Sequence, residues 1–252
     1  MTRLISGAIL AVVAVAAIVW LPPIALRVLI CAVAALAAHE YFELTGANIR
    51  AVVLVVALCW LVSAAEWPAS YMVLSIALLW VAANVLISDH GVQQVAAGLF
   101  ASIYIGMPLG MLAAVHVLLG WKATLLLVGT IVVSDSAQYY SGRLFGRTPL
   151  APSISPKKTI EGAIGGLIFG TAFMVFVGER VLPSRGLAPL VGLGLFVVIV
   201  GICGDLFESR LKRTAGVKDS SSLIPGHGGV LDRIDALLFA AAPFYLYVRN
   251  IT

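Results

Sequence analysis

Residues 209–235 read SRLKRTAGVKDSSSLIPGHGGVLDRID, the largest polar island in a chain of 252 residues that is 61% hydrophobic. Lysines, arginines, aspartates, a Gly-rich turn and a histidine are gathered there within about one loop. That inventory suits phosphate and a divalent metal: cations and backbone N–H groups for the one, carboxylates for the other. Outside the island charge is scarce. Only 11% of residues are charged and mean hydropathy is +1.06, whereas a soluble domain carries roughly 25% charged residues. The composition excludes a soluble globular domain and identifies an integral membrane protein. A formal net charge of +4 gives no reason to expect nucleic acid as a partner.

Apolar runs of about 20 residues mark the spans. Nine are expected, near 4–21, 24–42, 50–65, 69–87, 93–118, 121–141, 160–182, 187–208 and 232–249, so the predicted fold is an all-α, polytopic bundle. The third run is short. Pro22-Pro23 separates the first two, because proline cannot continue a helix. Arg3 followed by an apolar stretch and Ala14-Val15-Ala16 has the form of a signal peptide. The apolar run continues to Leu21, which favours a retained first span. Nine spans put the termini on opposite sides. Eleven of the 16 lysines and arginines then fall on the N-terminal side, which the positive-inside rule makes cytoplasmic. The three cysteines, Cys31, Cys59 and Cys203, sit in apolar runs and are expected to be core or lipid-facing, with no disulfide or metal role.

Acids within or at the edge of an apolar span are costly and face partners, water or metal. Asp205 and Glu208 end the eighth run at i, i+3 spacing, and Asp232 and Asp235 open the ninth at the same spacing. Two helix ends that each present acids can clamp a divalent cation, and Mg²⁺ takes one or two carboxylates plus substrate phosphates. The structural alternatives are that Asp232 caps the ninth helix and that Asp235 pairs with Arg233 or Lys212. Asp135, at the end of the sixth run, is read as a metal or nucleotide ligand or as a partner of Arg143 or Lys157. Thr159 is a predicted N-cap. Lys157 and Lys158 just before it make that helix start a natural triphosphate site, or else they are interfacial lysines. Lys212, Arg213 and Lys218 suit an anionic lipid head group. Pro225, Gly226, His227, Gly228 and Gly229 read as a turn whose N–H groups form an anion nest, or as a plain connection.

The same stretches resemble the phosphatidate cytidylyltransferase (CDP-diacylglycerol synthase) family. Ser209, Lys212, Arg213, Lys218, Asp219, Pro225, His227, Gly228, Gly229, Asp232, Arg233 and Asp235 fall on its signature. Residues 134–147, SDSAQYYSGRLFGR, and 155–166, SPKKTIEGAIGG, resemble further blocks. In the first of these the family pattern Asp-Thr-Gly-Ala-Tyr is replaced by Asp135-Ser136-Ala137-Gln138-Tyr139. The resemblance covers about the C-terminal half. It implies residues 1–120 as a transmembrane scaffold, with scope for homodimer contacts, and 121–252 as the catalytic region around a polar, cytoplasm-facing cavity in a bacterial inner membrane.

The implied reaction joins CTP and phosphatidate into CDP-diacylglycerol and pyrophosphate with Mg²⁺, and leaves room for a second cation. The resemblance assigns metal binding to Asp205 and Asp232, with Asp235 and Glu208 beside them. Catalytic roles go to Asp205, Asp232, Lys157, Lys158, Arg213 and Asp219. Substrate contacts go to Asp135, Ser136, Lys212, Lys218, Gly226, His227, Gly228, Gly229 and Arg233. Two rivals stand: a CTP-dependent enzyme on another lipid phosphate or a polyprenol, and a transporter using Asp135, Asp205 and Asp232 as an ion path.

Overall fold

The computed structural model describes residues 2–64, 92–182, 186–224, 226 and 228–251. The expected run near 69–87 lies outside the described residues, as do Pro225 and His227. Helices α1 (Thr2–Trp20), α2 (Pro23–Thr45), α3 (Val52–Val62), α4 (Val92–Ala101), α5 (Met107–Phe145), α6 (Ile160–Val181), α7 (Leu187–Thr214) and α8 (Leu231–Ile251) dominate. The fold is nearly all-α and polytopic.

Five stretches among the described residues are long and apolar enough to cross a membrane: Pro23–Thr45, Gln93–Phe145, Ile160–Val181, Leu187–Thr214 and Leu231–Ile251. Gly7–Trp20 and Ile49–Val62 are shorter apolar helices. The expected count of nine is therefore not reproduced by length alone. Two expected runs share the single stretch 93–145, which is interrupted at Gly120 (φ 75°, ψ −172°). No atom stands within 4 Å of a Cβ built there, so glycine serves the backbone angle rather than close packing.

The fold also corrects the purely helical expectation at one place. Strands β1 (Pro149–Ala151) and β2 (Ser155–Thr159) pair antiparallel, Pro149 opposite Thr159 and Ala151 opposite Ser155. Lys157 and Lys158 thus lie on a strand. The island at 209–235 is shorter than its sequence suggests, because α7 continues to Thr214. Glu208 and Lys212 pair one turn apart at 2.5 Å, and basic residues suit a helix C-terminus. The helix ends where Gly216 takes φ 73° and donates to Arg213 O at 3.1 Å.

The chain forms two compact units, Met1–Val117 with Asp219–Arg233, and Leu118–Lys218 with Ile234–Thr252. In the first, α2 packs on α3, and Ala34, Ala37 and Ala38 of α2 are fully buried. The backbone of α3 rests on glycines: a Cβ at Gly110 would lie 2.7 Å from Cys59 O. Arg27 donates to Ser63 Oγ at 2.8 Å and stacks over Trp60 at 4.4 Å. Cys31 of α2 and Cys59 of α3 are both buried here as free thiols.

In the second unit, glycines set the helix spacing. Gly162, Gly165, Gly166 and Gly170 of α6 lie against Gln138, Ser141 and Ser134 of α5. On α7, Gly201 faces Ile131 and Ala236, and Gly204 faces Asp235 and Phe239. Small residues let backbones approach where lipid offers no hydrophobic drive between helices. A Cβ on Gly204 would lie 2.6 Å from Asp235 O, whereas Gly192 on the same helix has nothing within 4 Å. Gly204→Ala is therefore expected to cost about 1–3 kcal/mol by overpacking. Gly192→Ala should be neutral, or stabilising by up to about 1 kcal/mol through helix propensity. Thermal unfolding of both variants in detergent checks this; equal midpoints would refute it.

Candidate active site

In the second unit, four elements bring charged groups together. Asp135 comes from α5, Lys158 from β2, Asp205 from α7 and Asp235 from α8. Local chemistry aims each one. Thr159 accepts from Gly162 N at 3.1 Å and so caps α6, as its sequence predicts. Glu161 in the first turn of α6 accepts from Arg147 N at 3.1 Å and from Thr148 N at 3.2 Å. That carboxylate ties the entry of the hairpin to the helix it leads into, and the hairpin carries Lys158 to α7. There its ammonium pairs with the Asp205 carboxylate, whose other oxygen lies 3.4 Å from Ser209 Oγ. Asp135 accepts from Gln138 Nε2 at 3.0 Å. Asp235 faces Asp205, Asp135 and Lys158.

Three carboxylates around one ammonium leave the cluster two negative charges in excess when all are ionised. Like charges gathered in this way are relieved by protonation or by a cation. The donor set is hard oxygen, which suits Mg²⁺. Among the described residues no three His, Cys, Asp or Glu converge tightly enough to enclose an ion alone.

Other sequence-predicted residues have different partners. Glu208 is fully buried and meets Lys212, as a buried charge in an apolar helix must. Arg213 donates to Val217 O at 2.9 Å and finishes the end of α7. Ser136 donates to Val132 O of its own helix at 2.8 Å. Arg143 donates to Tyr139 Oη at 3.2 Å. Lys157, Lys218, Asp219, Gly226 and Arg233 are exposed.

The described residues of the Gly-rich turn belong to the first unit, and the amides from Gly229 to Leu231 already have acceptors. Gly229 N donates to Asp232 Oδ2 at 2.8 Å. Val230 N and Leu231 N donate to Glu40 Oε1 and Oε2, each at 2.8 Å. Asp232 Oδ2 also accepts from Ser220 N at 2.9 Å. Gly229 N, one of the amides expected to form a nest for phosphate, thus holds Asp232, and the next two amides hold Glu40. The glycines follow from this. A Cβ on Gly228 would lie 2.5 Å from Asp232 Oδ2, and one on Gly229 would overlap Ser220 Oγ and the Glu40 carboxylate. Sequence reasoning passed over Glu40, although an acid inside the apolar run of α2 was a signal. It passed over Ser220 as well, whose type carries none.

The profile of the cytidylyltransferase family matches residues 1–251. The chain belongs to that family. Among curated relatives, it is 49% identical over 118 residues to the phosphatidate cytidylyltransferase of Haemophilus influenzae, a match covering 45% of this chain and 41% of the relative. It is 47% identical over 122 residues to the enzyme of that name from Aquifex aeolicus, covering 48% and 45%. With that of Thermotoga maritima it shares 38% over 174 residues, covering 65% and 64%. The chain spans about half the length of the relatives it matches.

Gly229→Ala is expected to cost about 1–3 kcal/mol and to open the loop. Faster tryptic cleavage at the exposed Lys218, with a lowered thermal midpoint, would show it. Unchanged values for both would refute the close approach of Glu40 at this glycine.

Proposed function

We propose that the protein transfers the cytidylyl group of CTP to phosphatidate, giving CDP-diacylglycerol and pyrophosphate, as the names of its relatives indicate for them. The observation that carries the reading is the convergence of Asp135, Lys158, Asp205 and Asp235 at the polar ends of apolar helices, in a chain of the cytidylyltransferase family.

In this reaction an oxygen of the lipid phosphate forms a bond to the α-phosphorus of CTP. The bond from that phosphorus to the β-phosphate bridging oxygen breaks, and pyrophosphate leaves with the electron pair. The attacking phosphate is already an anion at neutral pH, so no side chain needs to remove a proton. What the protein supplies is position and compensating charge. Asp205 and Asp232, to which the resemblance assigns the metal, would hold a cation, with Asp235 as a further acid beside Asp205. When bound, Mg²⁺ neutralises charge on the attacking and leaving oxygens. Lys158 offsets phosphate charge, and Lys157, one residue before it on the hairpin, extends the positive surface. Asp135, held by Gln138, completes the acidic ring. Apolar helices leave the acyl chains of the lipid in the bilayer while its phosphate reaches the polar ends. The excess of lysine and arginine near those ends supports a site on the cytoplasmic face of a bacterial inner membrane.

Purified protein incubated with labelled CTP, phosphatidate and Mg²⁺ is expected to yield a labelled lipid, and chelation by EDTA should stop it. Asp205→Asn and Asp232→Asn should each lower turnover by on the order of a hundredfold or more, the scale of losing one transition-state charge partner, with folding retained. No labelled lipid from the wild-type protein, or near-normal turnover of either variant across a Mg²⁺ titration, would overturn the assignment.

A further inference from the structure

We propose that Glu40 is a positioning residue for Asp232, acting through Ser220 and the amides at the head of α8. The proposal rests on the reading of Asp232 as a metal-binding acid.

Glu40 stands on α2 and is 3% exposed. Both its oxygens are used. Oε1 accepts from Ser221 Oγ at 2.7 Å and Val230 N at 2.8 Å; Oε2 accepts from Ser220 Oγ at 2.9 Å and Leu231 N at 2.8 Å. Two of these donors come from the start of the loop and two from its end. One carboxylate on a transmembrane helix therefore closes the whole polar loop.

Its link to Asp232 is direct. Ser220 Oγ lies 2.9 Å from Glu40 Oε2 and 3.0 Å from Asp232 Oδ2. A hydroxyl carries one proton, so it donates to one of the two carboxylates at a time. The two acids also divide three consecutive amides: Asp232 takes Gly229 N, and Glu40 takes Val230 N and Leu231 N. Without the Glu40 carboxylate, two amides and a hydroxyl lose their acceptor beside Asp232, whose carboxylate is the nearest replacement. Glu40 thus decides which donors Asp232 receives, and with them the plane its carboxylate holds toward a metal. Glutamine cannot reproduce this. Its amide has one acceptor oxygen and would turn an NH₂ toward N–H or O–H donors on the other side.

The test compares Glu40→Gln and Ser220→Ala with wild-type protein in detergent. Mn²⁺, a spectroscopic substitute for Mg²⁺, is titrated and followed by electron paramagnetic resonance, alongside thermal unfolding and the CTP assay. Glu40→Gln is expected to weaken Mn²⁺ binding by on the order of ten- to a hundredfold, the usual cost of removing a partner that orients a ligand. Its kcat should fall while the KM for phosphatidate stays within about twofold, the pattern of lost transition-state stabilisation. Ser220→Ala leaves Glu40 its other three bonds and should reproduce the weaker Mn²⁺ binding in a fully folded protein. Unchanged Mn²⁺ affinity in both variants overturns the proposal. So does a loss in Glu40→Gln that tracks unfolding and is absent in Ser220→Ala. Wild-type protein that binds Mn²⁺ but makes no labelled lipid overturns the functional reading and leaves the role of Glu40 decided by Mn²⁺ affinity. Wild-type protein that binds no Mn²⁺ overturns both.

Discussion

A charge carried on an apolar helix must be met by donors or by an opposite charge, because hydrocarbon solvates neither. Four of the acids obey this constraint, each in its own way. Glu40 accepts four hydrogen bonds from one loop. Glu208 takes Lys212 one turn along the same helix. Asp205 takes Lys158 from a hairpin. Asp232 accepts from two backbone amides. Each pairing fixes a piece of irregular backbone that no apolar packing would fix. The polar loop, the hairpin and the end of α7 are ordered as the counterparts of these carboxylates.

Close helix approach is the second condition. α6 meets α5 through Gly162, Gly165, Gly166 and Gly170, and α7 meets the chain around Asp235 and Phe239 through Gly204. Were those contacts spaced by larger side chains, Asp135, Asp205 and Asp235 would stand further apart and their mutual repulsion would fall. The glycines therefore hold together an arrangement that is electrostatically unfavourable without a cation. In the proposed function a divalent cation would supply the compensating charge, for these acids and for the anionic polyphosphate alike.

The two readings of the Gly-rich turn differ in what they ask of its amides. A nest open to phosphate needs donors that point at solvent. Here Gly229, Val230 and Leu231 spend theirs on Asp232 and Glu40. At Gly229 the turn supports one acid, and the two residues that follow it support another. Phosphate charge is left to the lysines on the hairpin, where the strand pairing of Pro149 with Thr159 and the N-cap at Thr159 fix the backbone.

By itself the sequence determined the membrane class, the near-exclusively helical fold, the cap at Thr159 and the polar blocks that carry the chemistry. Each of these is a local property: hydropathy over one span, one hydroxyl before one helix, or residues in a fixed short order. It also marked Asp135, Asp205 and Asp235 as acids that need partners, since their cost in an apolar run is visible without coordinates. Which partner each one takes was decided only by tertiary structure. Lys158 rather than Lys157 meets Asp205 because β2 alternates its side chains and only one of two neighbours can face α7. The strand itself was hidden, being five residues long and pinned from outside by Glu161. Glu40 lies about 180 residues before the loop it anchors, and no spacing rule spans that distance. Contacts of that kind arise from helix packing, which depends on all the apolar faces at once and is written in no single stretch of the chain.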